Sequence, residues 1–213
     1  LRQAAKKHNS TISVYMLAQM FLAGRAATDD LHGEASIQVP VSMRKFYPTK
    51  TVRNFSMYCG VRLPVDQIND IEGIIEPIRE QINQKTTKEV MSQMLTAADR
   101  LVNVLKLVPL VIKQPVAKVV YGFLGDKIFT NTLSNLGVVQ MPPELEEHIE
   151  SMDFVLGPEI TNRVSCTMVS IKNTATFTIT KMTVDPSFEE KMYDLLVADG
   201  IDVQVEGSGL YER

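Results

Sequence analysis

The chain has 213 residues, 45% of them hydrophobic and 22% charged, an ordinary globular balance with enough apolar side chain to bury a sizeable core. A net charge of −3 supplies no bulk attraction toward nucleic acid or an anionic membrane. No cationic start leads into an apolar run and a small-residue cleavage site, so no secretory signal is read.

Leu1 is not an initiator methionine and the chain opens in helix-like sequence, so it reads as a cut piece of something longer or a matured form. Ser10 is expected to cap a helix running to about Ala27, whose apolar positions crowd most of its surface and imply burial on several sides. After a turn at Thr28-Asp29-Asp30, Ala35 to Met43 alternates as a strand, and Asn54 to Leu63 as a second, closed by Pro64. Ile68, Ile71, Ile74, Ile75, Ile78 and Ile82 mark an amphipathic helix from Asp66 to about Gln84. Another begins at Thr87, with Val90, Met91, Met94, Leu95, Ala98, Leu101, Val102 and Leu105 on one stripe.

Leu107 to Leu124 is the most apolar stretch, but Pro109 and Pro115 interrupt it and Lys106, Lys113 and Lys118 punctuate it. It is too broken for a membrane span and is expected as helical pieces covering a sheet; an interfacial membrane anchor is the competing reading. Phe129 to Met141 reads as a strand, Pro142-Pro143-Glu144 as the start of a short helix, and Met152 to Leu156 as a short strand. Val164 to Ile171 and Thr174 to Val184, joined at Lys172-Asn173, form a β-hairpin. Asp185 caps a last helix carrying Phe188, Met192, Leu195 and Leu196. Ile201 to Val205 is an expected edge strand, and the Gly207-Ser208-Gly209 tail is expected to fray.

Cys59 and Cys166 lie in apolar, strand-like stretches without metal-ligand spacing. They are expected as buried thiols in a reducing compartment, which places the protein in the cytoplasm. Glu144 and His148 are four apart on a helix, but no third metal ligand is evident, and a solvated face is the simpler reading. His8 and His32 are given no role. No nucleophile elbow, phosphate loop or dinucleotide fingerprint is present.

Between Glu34 and Asp66 there is no acidic residue, while Arg44, Lys45, Lys50 and Arg53 occur there with Phe46, Tyr47 and Phe55 interleaved. Three readings stay open for this stretch. It is a solvated loop with Arg44 locked in a core salt bridge, a site for a phosphate, or, least favoured, a nucleic-acid contact.

Three local patterns carry a family resemblance. Lys6-Lys7-His8-Asn9-Ser10-Thr11-Ile12-Ser13 resembles the lysine-rich turn that opens a helix. Val39-Pro40-Val41-Ser42-Met43-Arg44, with Asn54 at the head of the next strand, resembles a Pro-Val-x-x-Arg segment and a later Gly-Asn pair, with Arg53 in place of the glycine. Ser134-Asn135-Leu136-Gly137 resembles a Ser-Asn-Leu-Gly strand. With the terminal hairpin and helix, they resemble the C-terminal half of the superfamily of chloramphenicol acetyltransferases, nonribosomal condensation domains, mycobacterial polyketide-associated acyltransferases and alcohol acetyltransferase-like proteins.

The resemblance implies an α+β fold over residues 1–213, a mixed sheet with helices mainly on one face, forming one of two subdomains around a shared tunnel. It implies acyl transfer from coenzyme A, or a phosphopantetheine carrier-protein thioester, to an alcohol or amine. That chemistry rests on a His-His-x-x-x-Asp motif in the other, N-terminal subdomain, whose second histidine acts as general base. His8, His32 and His148 do not form it, so no catalytic residue is expected here and the chain alone is expected to be inactive. Ser134 and Asn135 border the tunnel in the resembling family, donating to a thioester oxyanion or positioning the acceptor; a tie between two strands is an equal reading for Asn135. Lys45, Lys50 and Arg53 are the candidates for phosphate contact. Arg44, anchored by the sheet and reaching inward, and Asn54 are the structural ones. The expected partners are the N-terminal subdomain, the thioester donor and a second copy of the chain, with no metal, no nucleic acid and no transmembrane segment. A non-catalytic binding or assembly module with the same half-fold is the alternative.

Overall fold

The structure is a computed structural model that describes residues 1–106, 108–115, 129–158 and 164–207. A short helix α1 (Arg2–Lys7) ends where Asn9 takes a left-handed conformation (φ 52°) and the Ser10 N–H bonds the Ala5 carbonyl at 2.8 Å. Ser10 is thereby spent closing α1. The cap of α2 (Ile12–Ala26) falls one residue later, to Thr11, whose hydroxyl accepts the Val14 N–H at 3.3 Å. Helix α2 is the spine of the molecule. Tyr15, Met16, Leu17, Ala18, Gln19, Met20 and Phe21 are consecutive buried residues, which only a helix enclosed on several sides allows.

The remaining elements are β1 (Glu34–Ser42), β2 (Ser56–Pro64), α3 (Ile71–Lys85), α4 (Lys88–Lys106), α5 (described over 110–115), β3 (Asn131–Val138), α6 (Pro143–Glu146), β4 (Val164–Ile171), β5 (Thr174–Thr180) and α7 (Ser187–Ala198). Asp70 rather than Asp66 caps α3, taking the Gly73 N–H at 2.8 Å, because Val65–Gln67 is used in a separate 3-10 turn. One five-stranded sheet has the order β2-β1-β3-β4-β5. Its outer pairs β1–β2 and β4–β5 are antiparallel, and its inner pairs β1–β3 and β3–β4 are parallel.

On β2, Cys59, Val61 and Leu63 are buried while Tyr58 and Arg62 are exposed, so this strand packs from one side. The core joins Ile37, Val61, Leu133, Cys166 and Met168 of the sheet to α2, α3 and α7 on that same side. The expected α+β architecture, a mixed sheet with helices packed mainly on one face, is present. Both cysteines are free and buried, and burial pushes both thiols up.

Three expected elements take another form. Met152 to Leu156 has no regular strand. Its carbonyls are taken by side chains: Thr167 Oγ1 donates to Phe154 O, and Thr180 Oγ1 to Leu156 O at 2.9 Å. The segment therefore crosses the reverse face from β4 toward β5 instead of pairing as a strand, and Ser165 and Thr167 on that face are buried beneath it.

Ile201 to Val205 is not a strand either. Gly200 (φ 76°) ends α7 in a Schellman turn, with Ile201 N–H to Leu196 O at 3.1 Å and Gly200 N–H to Val197 O at 2.9 Å. That reversal leaves Ile201 and Val203 packed against the core as irregular chain. Lastly, the described part of the Leu107–Leu124 stretch covers no sheet: Leu110, Val111 and Ile112 are exposed. Helix α4 carries it off the body, since Met91 is the one residue α4 buries. The rest of that stretch, and the tail beyond Gly207, lie outside the described residues.

Candidate functional site

The parallel strands β1 and β3 are laddered at Ile37–Asn131 and Gln38–Thr132. The pairing stops there although β1 runs on to Ser42 and β3 to Val138. Beyond that point two irregular features share the carboxyl ends of neighbouring parallel strands: the loop that leaves β1 and a bulge in β3. Crevices at the carboxyl ends of parallel strands are where such sheets present ligand groups, because the loops there are free of the ladder.

The bulge accounts for Ser134-Asn135-Leu136-Gly137 in physical terms. Asn135 pairs with Met168 and Val138 with Ser170, so β3 carries one residue more than β4 between the two pairs. Gly137 takes φ 75°, which a side chain would strain. The Asn135 carboxamide closes the turn, its oxygen accepting the Gly137 N–H at 2.7 Å, and its nitrogen donates to Ser13 Oγ on α2 at 3.0 Å. Asn135 thus ties β3 to the first turn of α2. Ser134 sits half-buried opposite Thr167, and its hydroxyl makes no hydrogen bond among the described residues.

Met43, fully buried, anchors the loop after β1, and its N–H bonds the Phe55 carbonyl at 3.0 Å. Arg44 does not reach inward. It is exposed and meets no carboxylate among the described residues, because the buried position at this turn belongs to Met43. Its Nη2 instead donates to the carbonyls of Thr51 at 3.0 Å and Arg53 at 2.7 Å, stapling the loop across its base. Threonine turns shape the tip, Thr49 Oγ1 accepting Thr51 N–H and Thr51 Oγ1 accepting Arg53 N–H, each at 3.2 Å. Lys45 lies 5.6 Å from the centre of the Phe46 ring, and Lys45, Lys50 and Arg53 are all exposed. Asn54 Oδ1 accepts from Ser56 Oγ at 2.7 Å at the head of β2. Tyr47 pins the loop to α4 through Ser92 at 2.6 Å. The loop and the bulge share one end of the sheet, but no hydrogen bond joins them among the described residues.

Sequence reasoning missed a second polar cluster, inside the helical layer. Tyr15 donates to Asp199 Oδ2 at 2.5 Å, and Gln19 donates to the same oxygen and to the Tyr15 hydroxyl, both at 2.8 Å. His8 stacks on Tyr15, meets Glu72 Oε1 through Nδ1 at 2.6 Å, and holds Nε2 at 3.6 Å from Asp199 Oδ1. An aspartate at a helix C-terminus opposes the macrodipole, so the place of Asp199 is explained by what it accepts from α2. Tyr15 and Gln19 at four-residue spacing were a visible signal; Asp199, 184 residues away from Tyr15, was not. His8 is buried in this cluster and so is no accessible base. His32 and His148 are exposed beside Asp30 and Glu147. No group of three metal-ligating side chains exists among the described residues, where Glu144 and His148 stay a solvated pair. A shallow hollow lined by Ser92, Gln93, Thr96, Ala97 and Arg100 contains no buried titratable group.

No protein-family model and no curated protein sequence matches the chain. Solved structures do. The epimerization domain from the third module of tyrocidine synthetase B superposes with TM-score 0.54 at 12% identity, over 93% of this chain and 43% of that one. A structure described as the basis for condensation domain-mediated chain release from the enacyloxin polyketide synthase matches with TM-score 0.54 at 8% identity, over 97% and 40%. Vinorine synthase matches with TM-score 0.50 at 10% identity, over 88% and 40%. The chain therefore shares the fold of part of each of these structures, and it spans less than half the length of each.

Proposed function

We propose that this half-fold is the C-terminal subdomain of an acyltransferase that moves an acyl group from a coenzyme A or carrier-protein thioester to an alcohol or amine. The observation that supports the reading is the match of nearly the whole chain to only about two-fifths of three solved structures, vinorine synthase and the structure of condensation domain-mediated chain release among them. The histidines support it from the other direction, since none of the three forms the His-His-x-x-x-Asp motif: one is buried, and two lie at the surface beside Asp30 and Glu147. In this reading the base belongs to an N-terminal subdomain. The β3 bulge forms part of the shared wall, with the Ser134 hydroxyl as its free donor and Asn135 holding the strand. The exposed cations Lys45, Lys50 and Arg53 meet the phosphates of the donor.

Two expected results test it. The purified chain releases no thiol from acetyl-coenzyme A with a panel of alcohols and amines, whereas the same chain read with an in-frame upstream His-His-x-x-x-Asp subdomain does. Turnover by the chain alone would overturn the reading, and an upstream sequence without the motif would assign the chain to a non-catalytic module.

The second result separates the loop cations. Arg44→Ala removes an exposed two-carbonyl staple, at a cost of about 1 kcal/mol, or about 2–4 °C in Tm for a chain of this size. Replacing Lys45, Lys50 and Arg53 together by alanine leaves Tm unchanged and raises the Kd for coenzyme A in the complete enzyme. Equal coenzyme A affinity in parent and triple variant would remove the phosphate role.

A further inference from the structure

We propose that the outer half of α4, with α5 beyond it, is a docking surface for an anionic lipid bilayer, lying flat in the headgroup region. This proposal does not rest on the acyl-transfer reading.

The helical spacing of α4 divides its circumference cleanly. Met91, Met94, Leu95, Ala98, Leu101, Val102, Val104 and Leu105 occupy one half, and Lys88, Ser92, Thr96, Asp99, Arg100, Asn103 and Lys106 the other. The apolar half starts against the body at Met91, which is fully buried, continues through the half-buried Met94 and Leu95, and is then largely exposed among the described residues. Leu101 is 61% exposed, Val102 52% and Val104 65%. The following turn repeats this at Leu110, Val111 and Ile112, with Val111 84% exposed. Apolar residues presented in series along an amphipathic helix call for a cover, unlike the single exposed residues scattered over any surface.

Charge indicates which cover. Lys106 flanks the Val102 edge of the stripe and Arg100 the Val104 edge, with Lys113 following in α5. Cations at both margins of an aliphatic stripe can seat their stems beside it while their heads reach phosphate, which is how interfacial helices bind anionic bilayers. Against these three cations the segment 96–115 carries one carboxylate, Asp99, which accepts from Asn103 at 2.9 Å. The whole-chain charge of −3 hides this local reversal of sign. The exposed stripe is made of leucine, valine and isoleucine alone, without the Tyr, Trp and Phe anchors that mark the centre of a protein–protein interface. No helix among the described residues is long and apolar enough to cross a membrane, so the geometry is that of a surface contact.

Co-sedimentation of the 213-residue chain with vesicles decides it. Vesicles of phosphatidylcholine and phosphatidylglycerol in equal parts are expected to pellet the chain; vesicles of phosphatidylcholine alone are not, and high salt is expected to release it. Changing Leu101, Val102 and Val104 together to glutamine, or Arg100 and Lys106 together to glutamate, is expected to weaken binding by about tenfold or more. Neither change touches a buried residue, so both variants should melt like the parent. Absence of pelleting, or equal binding to neutral vesicles, overturns the proposal. So does a parent that sediments as a dimer, ignores vesicles and becomes monomeric in the glutamine variant, which would assign the stripe to a second copy of the chain.

Discussion

Phe21→Ala is expected to cost about 3–5 kcal/mol, lowering Tm by about 6–20 °C for a chain of this size. Phe21 is 2% exposed on α2 and belongs to the cluster that joins that helix to the sheet, α3 and α7. That cluster draws its residues from several elements, so it cannot collapse as one unit into the space a ring leaves. The cost then includes the unfilled cavity as well as the lost transfer energy. Thermal denaturation of the variant checks this, with Phe21→Leu as a milder companion that keeps most of the volume. A fall in Tm of less than about 3 °C for Phe21→Ala would mean that α2 is not the spine described here.

Asp199→Ala is expected to cost about 2–4 kcal/mol although it removes a small side chain from a helix terminus. The carboxylate accepts from the Tyr15 hydroxyl and from Gln19 Nε2, and it lies 3.6 Å from His8 Nε2. With it gone, a buried phenol and a buried amide lose the partner that offsets their desolvation. Tyr15→Phe is expected to cost less alone, and the two changes together less than their sum, since each removes the same bond. Strict additivity in that cycle would dismantle the cluster as a unit.

The phenol adds a dependence on pH. Burial, and then the hydrogen bond to Asp199, push Tyr15 above the ordinary value of 10.0. The folded phenol stays protonated where the unfolded one ionises. Its contribution is complete below the unfolded value and is lost as pH rises through and beyond it. Stability of the parent at alkaline pH should therefore fall more steeply than that of Tyr15→Phe.

Sequence alone determined the elements whose signal is local. The strand alternation of Cys59, Val61 and Leu63, the hairpin turn at Lys172-Asn173, the isoleucine stripe of α3 and the crowded face of α2 all state a period that one burial pattern satisfies. The Ser-Asn-Leu-Gly motif was legible only as a family resemblance; the left-handed Gly137 and the bulge it serves came from the structure. Tertiary structure decided what depends on partners far along the chain. Whether Ser10 or Thr11 caps α2 turned on Ala5, and whether Met152–Leu156 is a strand or irregular chain crossing a face turned on the hydroxyls of Thr167 and Thr180. Whether Arg44 or Met43 takes the buried position was set by the turn after β1. The Tyr15–Asp199 bond spans 184 positions, and no local period encodes it. A backbone polar group or a buried side chain must find some partner, but the sequence does not say which one; only the packing of α7 against α2 does.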